Sequence, residues 1–259
     1  MTSVALTIAG SDPSGGAGLQ ADLKTFHQSG VYGASVVTLL TVQNTVGVTA
    51  IQRLDPGFVV AQLDAVLEDI PPQAAKTGAL GSAGIIAAIA GRAAQFRFPL
   101  VVDPVLRSKH GDSLMDADAL SVLVDHLLPH AFLLTPNRHE AEALAGFNIP
   151  DLASMERAAA AIAARGPRHV LVKGGGRGGD ATDVLFAAGA IHHFPQQRIE
   201  TQSTHGSGCV YSAAITARLA RGEPLLAAIA GAKHYITRAI QTAPGIGRGV
   251  GPVNMHSEG

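Results

Sequence analysis

Short β-branched runs that stop abruptly in a polar or glycine cluster recur along the chain, with longer small-residue stretches between them. The runs are "VALTIAG", "ASVVTLLT", "LVVDP", "AFLLTP" and "HVLVKGG". Helical periodicity falls between and after them, at 16–28, 57–69, 82–95, 116–128, 138–145 and 154–165. Strands that are apolar throughout, rather than alternating, must be covered on both faces. The pattern therefore predicts an α/β fold with a mainly parallel central sheet flanked by helices. After residue 173 the order changes: "DVLFAAGAIHHFP" reads as a short antiparallel hairpin, followed by helices at about 207–221 and 224–242. The glycine-rich tail "APGIGRGVGPVNMHSEG" reads as irregular or mobile. With no repeat and no low-complexity linker, residues 1–259 are expected to form a single domain.

Polar residues collect where the strands end, at 8–12 (IAGSD), 101–104 (VVDP), 133–137 (LLTPN) and 171–175 (LVKGG). Ligands of parallel sheets bind beyond the carboxyl ends of the strands, so one site along that edge is expected. Nineteen basic residues against twenty acidic ones leave a net charge of -1, which gives no footprint for nucleic acid. The longest apolar stretches are cut by charges short of the roughly 20 residues a membrane span needs. A small-molecule partner is left. The single cysteine and an N-terminus without a basic leader pattern predict a cytoplasmic location.

Several motifs narrow the chemistry. "GGGRGG" places Gly174, Gly176 and Gly179 in the spacing of a dinucleotide fingerprint, but a strand rather than a helix is expected to follow, so the match fails. "HEAEALAG" lacks the second histidine of a metalloprotease helix, and His192 and His193 read as structural or surface residues of the hairpin. "GSDPSGGAGLQADLKTF" is a glycine-rich turn opening a helix, where backbone amides can approach a ligand. Asn137 and Glu140 stand three apart at a helix start, a spacing that suits a capping box or magnesium held directly or through water. In "THGSGC", Gly206, Ser207 and Gly208 precede a helix and would turn free amides toward an anion. Cys209 is then either a small core residue or a thiolate favoured by the helix terminus.

Taken in order, "IAGSDPSGGAGLQADLKTF", "GVYGASVVTLLTVQNTVGV", "QLDAVLEDI", "VVDPVL", "LLTPN", "VLVKGG", "RIETQSTHGSGC", "SAAITARLA" and "GPVN" resemble the hydroxymethylpyrimidine and phosphomethylpyrimidine kinases of thiamin biosynthesis. The likeness covers nearly the whole chain and implies a ribokinase-like three-layer α/β/α fold. It implies an ATP- and Mg2+-dependent kinase that phosphorylates 4-amino-5-hydroxymethyl-2-methylpyrimidine and then its monophosphate. By the same resemblance Gly206, Ser207 and Gly208 form an anion hole and Cys209 receives or orients the substrate hydroxyl proton. Gln43 reads the pyrimidine edge, bordered by Gly10, Asp12 and Val105. Asp103 and Glu140 manage magnesium, while Lys173, Asn137 and Thr204 serve the nucleotide. Lys233 is either a further nucleotide-side residue or a solvated helix lysine. A homodimer is the expected assembly.

The chain departs from the family pattern at Ala79, where "KTGAL" replaces the common "KxGML", and at Gly176, where "KGGG" replaces "KGGH". The first change predicts a roomier pyrimidine pocket. Two other readings stay open: a pyridoxal or pyridoxine kinase of the same superfamily, and a non-catalytic pyrimidine-binding module. Segments 107–113 and 174–182 are polar enough to act as lids.

Overall fold

The computed structural model describes residues 2–106, 111, 114–116, 118–175 and 180–257. Among these residues nine strands form one sheet: β1 (Val4–Ser11), β2 (Tyr32–Gln43), β3 (Val48–Arg53), β4 (Ala74–Thr77), β5 (Leu100–Val102), β6 (Leu133–Leu134), β7 (His169–Val172), β8 (Asp183–Ala187) and β9 (Ala190–Phe194). Their spatial order is β3-β2-β1-β4-β5-β6-β7-β8-β9. From β2 to β7 all pairs are parallel; β3, β8 and β9 are antiparallel additions at the two edges. The expected hairpin is β8–β9, joined through Ala188 and Gly189, whose φ angles of 49° and 80° are those a two-residue hairpin turn demands.

Helices cover both faces, as the apolar strands require. Along β5, Leu100 and Val102 enter one core and Val101 the other; along β7, Val170 and Val172 oppose Leu171 in the same way. The first core lies under α2 (Pro56–Asp69), α3 (Ala83–Ala93), α4 (Ala119–Val122), α5 (Arg138–Ala145) and α6 (Leu152–Ala163). The second lies under α1 (Gly18–Gln28), α7 (Ser207–Ala220) and α8 (Leu225–Gln241). These are the three layers expected. Since the chain leaves β1 for β2 on one side and later returns to β4 on the other, the winding reverses between β1 and β4, where doubly wound sheets bind ligands.

Three local expectations change. The helix anticipated over 116–128 is a single α-turn, α4, that continues as a wide π-turn over Leu123–Leu127 and a tight 3-10 turn over Leu128–His130 containing Pro129. β3 and β4 carry no long β-branched run, and β4 places Lys76 in the centre of the sheet with all four residues buried. The tail is irregular but tied down. Val250 donates to the Thr45 carbonyl, Asn254 donates to that of Ala239, and Val253 and Met255 are buried.

Candidate active site

The loops after β1, β5, β6 and β7 converge at the carboxyl edge, and α7 brings its first turn to the same place. After β5, Asp103 is 3% exposed and accepts a charged hydrogen bond from Lys173 Nζ at 2.9 Å. Asp103 also faces Thr135 Oγ1 and Ser212 Oγ, each 3.3 Å away. Lys173 is aligned by its own backbone, whose N–H donates to the Pro136 carbonyl at 2.8 Å as the chain pairs with Asn137. Burial opposes the lysine charge, but attraction to Asp103 and Glu140 outweighs it and holds Lys173 above the ordinary lysine value.

Asn137 and Glu140 form the capping box that starts α5: Glu140 N–H donates to Asn137 Oδ1 at 3.0 Å, and Asn137 N–H donates to Glu140 Oε2 at 2.8 Å. Capping and site geometry therefore coincide. Burial pushes the Glu140 carboxyl up to about 7, with Asp103 adding to the rise and Lys173 opposing it.

α7 begins without a side-chain cap. Its N-cap is Gly206, at φ 75°, and a Cβ there would collide with the Gly16 carbonyl oxygen. Only glycine lets the turn close against the loop after β1. The first-turn amides of a helix have no intrahelical carbonyl to meet; the Ser207 N–H is held by the Thr204 carbonyl, which leaves those of Gly208 and Cys209 at the positive end of α7. The same turn meets the charge pair: a Cβ on Gly208 would stand 3.4 Å from Lys173 Nζ and 3.9 Å from Asp103 Oδ2. Gly208, Lys173 and Asp103 thus share one small space.

Cys209 lies in that turn and stays partly accessible. Its protonation differs from the thiolate expected of a helix terminus. Burial of the sulfur outweighs the attraction of Lys76 and pushes the thiol up to about 11. Beneath it runs an unforeseen buried array in which Lys76 Nζ donates to Asp22 Oδ2 at 2.8 Å and Thr7 Oγ1 donates to the same oxygen at 2.6 Å. The only sequence signal for it was a lysine inside an otherwise apolar central strand.

Gln43 ends β2 half-buried, with Thr41 Oγ1 3.2 Å from its Oε1 and donating to the Ser11 carbonyl at 3.0 Å. That places the amide of Gln43 beside the end of β1. Gly10 is packed so closely on Leu39 that a Cβ would lie 2.6 Å from Leu39 Cδ1. Val105 is half-buried just beyond Asp103, its N–H donating to the Asp103 carbonyl at 2.9 Å. Ala79 is also half-buried, its carbonyl held by Thr38 Oγ1 at 2.7 Å.

Asp12 stands in the expected loop but in another role. It is 3% exposed, and its carboxylate is occupied by Ser14, the Ala17 N–H and His205. It organises the loop, both its oxygens engaged within the protein. Thr204 caps the α7 approach by accepting the Ser207 N–H at 3.2 Å. Lys233 is neither solvated nor free: it donates to Asp183 Oδ2 at 2.7 Å and to the Ala181 carbonyl at 2.6 Å. Asp183 in turn accepts the Gly174 N–H at 2.8 Å, so Lys233 anchors the base of the glycine loop. Of the two lid segments, 107–113 lies outside the described residues except for Gly111, as do 176–179 of the second and the departure at Gly176.

The donor set fits magnesium held through water. Asp103 is already paired with Lys173, and Glu140 is engaged by backbone N–H groups of Asn137 and Leu106. A buried carboxyl pushed up to about 7 is one that an arriving cation would ionise. Among the described residues no cluster of three or more His, Cys, Asp or Glu side chains is arranged to hold a metal unaided. Magnesium keeps several waters and leans on substrate phosphates, which suits two carboxylates beside the first turn of α7.

The phosphomethylpyrimidine kinase family model matches residues 12–254. The thiamine biosynthesis bifunctional protein ThiED of Geobacter sulfurreducens is 52% identical over 251 residues, covering 96% of this chain and 51% of that protein. The chain spans about half the length of that relative. A hydroxymethylpyrimidine/phosphomethylpyrimidine kinase of Synechococcus elongatus is 49% identical over 252 residues, covering 96% of each chain. Among solved structures, the ADP complex of Bacillus subtilis pyridoxal kinase superposes with a TM-score of 0.89 at 36% identity, covering 98% of each chain.

Proposed function

The chain belongs to the phosphomethylpyrimidine kinase family, and from that premise we propose how its carboxyl-edge site works. It is a hydroxymethylpyrimidine/phosphomethylpyrimidine kinase of thiamine biosynthesis. The phosphoryl donor is ATP. The reading rests above all on one observation: the Lys173–Asp103 pair faces the uncapped first turn of α7 where β1, β5, β6 and β7 end.

Phosphoryl transfer passes through a loose transition state whose catalysis is mainly positioning and charge stabilisation. Gln43 reads the aminopyrimidine edge, since its amide both donates and accepts. Gly10 and Val105 flank the ring, bringing the hydroxymethyl oxygen toward the first turn of α7. The amides of Gly208 and Cys209 receive equatorial oxygens of the γ-phosphoryl group, and Lys173 neutralises charge as it shifts toward the leaving diphosphate. Asp103 and Glu140 would hold magnesium through water, and that ion, when bound, would offset phosphate charge. Asn137 and Thr204 fix the loops on the nucleotide side, and Lys233 serves that side indirectly by anchoring the glycine loop.

Cys209, a thiol at neutral pH, orients the substrate hydroxyl, whose proton passes to a γ-phosphoryl oxygen as the new O–P bond forms. The second transfer has a different acceptor. A phosphate monoester is largely ionised at neutral pH and brings no hydroxyl proton that must be removed.

The absence of a disulfide partner for Cys209 suits a cytoplasmic enzyme. Exposed Tyr32, Leu40 and Val42 along β2, next to the edge strand β3, suit a homodimer, which light scattering of the purified protein tests. The pyridoxal kinase neighbour and the small Ala79 make pyridoxal the relevant competitor. Comparison of kcat/KM for the hydroxymethylpyrimidine and pyridoxal decides between them. A preference for the pyrimidine supports this assignment; a preference for pyridoxal reverses it.

A further inference from the structure

His205 sits where three loops meet, and no role above uses it. Its ring is buried, with Nε2 2.8 Å from Asp12 Oδ2 and the two side chains 3% and 4% exposed. Burial works against the Asp12 charge, but hydrogen bonds from His205 and Ser14 outweigh it and hold the carboxyl below its usual range. An ionised carboxylate only accepts, so the hydrogen in this contact belongs to His205 Nε2. The His205 backbone is pinned as well: its N–H donates to the Gly251 carbonyl at 2.9 Å, and its carbonyl accepts from Val253 at 3.4 Å.

These contacts join otherwise separate parts of the site. Asp12 gathers the loop after β1 by accepting from the Ser14 N–H, Ser14 Oγ and the Ala17 N–H. His205 immediately precedes Gly206, the N-cap of α7. The fit between the two loops leaves no slack: a Cβ on Gly16 would lie 2.5 Å from His205 Cδ2 and 3.1 Å from Pro252 Cβ. The next residue, Gly206, closes against the Gly16 carbonyl.

We propose that His205 is a positioning residue for phosphoryl transfer, a strap that, through Asp12, fixes the pyrimidine-side loop against the anion-binding turn of α7. The proposal rests on the kinase reading given above. The acceptor oxygen and the transferring phosphoryl group then meet in a geometry set by one buried hydrogen bond, and a misplacement of about 1 Å is enough to reduce turnover by roughly 10²-fold.

The test compares His205→Leu, which removes the donor, with His205→Gln, whose amide reaches toward the Nε2 position. With Mg-ATP and hydroxymethylpyrimidine, His205→Leu is expected to lower kcat by about 10²-fold with KM for ATP changed less than about threefold, and His205→Gln to recover most of kcat. Hydrogen exchange is expected to rise in 12–18 and 204–210 of His205→Leu and to stay unchanged in α3 and α6. Unchanged kcat in His205→Leu, or an equal loss in both variants, overturns the proposal. If His205→Leu does not fold, Asp12→Asn, which keeps the shape and removes the carboxylate acceptor, replaces it with the same expected loss; unchanged kcat again overturns the proposal. The exchange measurement needs no turnover. Raised exchange in a protein inactive on the pyrimidine supports the strap while refuting the kinase reading, and unchanged exchange refutes the strap in an active one.

Discussion

Lys76 Nζ and Asp22 Oδ2 lie 2.8 Å apart with neither side chain exposed, a buried pair between the sheet and α1 below the first turn of α7. Burial opposes the charge of Lys76; attraction to Asp22, and further off to Asp103, overcomes it and raises the lysine above its ordinary value. Breaking one partner of such a pair leaves a stranded charge, which typically destabilises by about 3–5 kcal/mol. Lys76→Met is therefore expected to lower the urea midpoint sharply. The double variant Lys76→Met with Asp22→Asn, which strands no charge, is expected to recover much of the loss.

Lys173 carries a different expectation, because its charge faces the site. Lys173→Met should fold, yet lose about 10²–10³-fold in kcat, the range observed when one preorganised stabilising group is removed. Steady-state kinetics at saturating pyrimidine, with circular dichroism as the control for folding, makes the comparison.

As the chain's single cysteine, Cys209 reports its own protonation. With the thiol pushed up to about 11, alkylation by iodoacetamide should be slow at pH 7 and accelerate about tenfold per pH unit toward that value. Stability follows the same sign. An unfolded cysteine ionises near about 8.5. The folded state keeps its proton longer, so the contribution is full below the unfolded value and is lost as pH rises through about 11. Cys209→Ala should flatten the fall in stability over that alkaline window, as measured by urea unfolding at stepped pH.

The two phosphorylations should separate in the same variant. Cys209→Ala is expected to slow transfer to the hydroxymethyl group by about 10²-fold, the scale of lost orientation of the attacking hydroxyl. Transfer to the monophosphate should change less than about tenfold, because that acceptor is already ionised. Quantifying both products in separate assays checks the split.

Gly206→Ala is expected to abolish activity. The new methyl would meet the Gly16 carbonyl, and the φ of 75° disfavours any L side chain, so the α7 turn must move away from the loop after β1.

Much of this arrangement was legible in the sequence because strand ends advertise themselves. The clusters after β1, β5, β6 and β7 carry Asp12, Asp103, Asn137 and Lys173, and the fold brings them together as parallel winding requires. What the sequence concealed depends on burial and on long-range pairing. β4 escaped notice because "AAKT" has one β-branched residue and a lysine, and its burial makes sense only once Asp22, 54 residues earlier, is seen beneath it. The Cys209 thiol followed from enclosure of its sulfur, which no spacing reveals. Lys233 could not be assigned until Asp183 appeared 2.7 Å away, and the 193-residue separation between Asp12 and His205 hid the strap joining them.

The most direct measurement is a time course of the purified protein with Mg-ATP and 4-amino-5-hydroxymethyl-2-methylpyrimidine, with products resolved by mass spectrometry. The monophosphate should appear first and decline as the diphosphate accumulates, with one ADP released per phosphoryl group transferred. No phosphorylated pyrimidine from the free alcohol, and none from the monophosphate supplied in its place, would contradict the assignment.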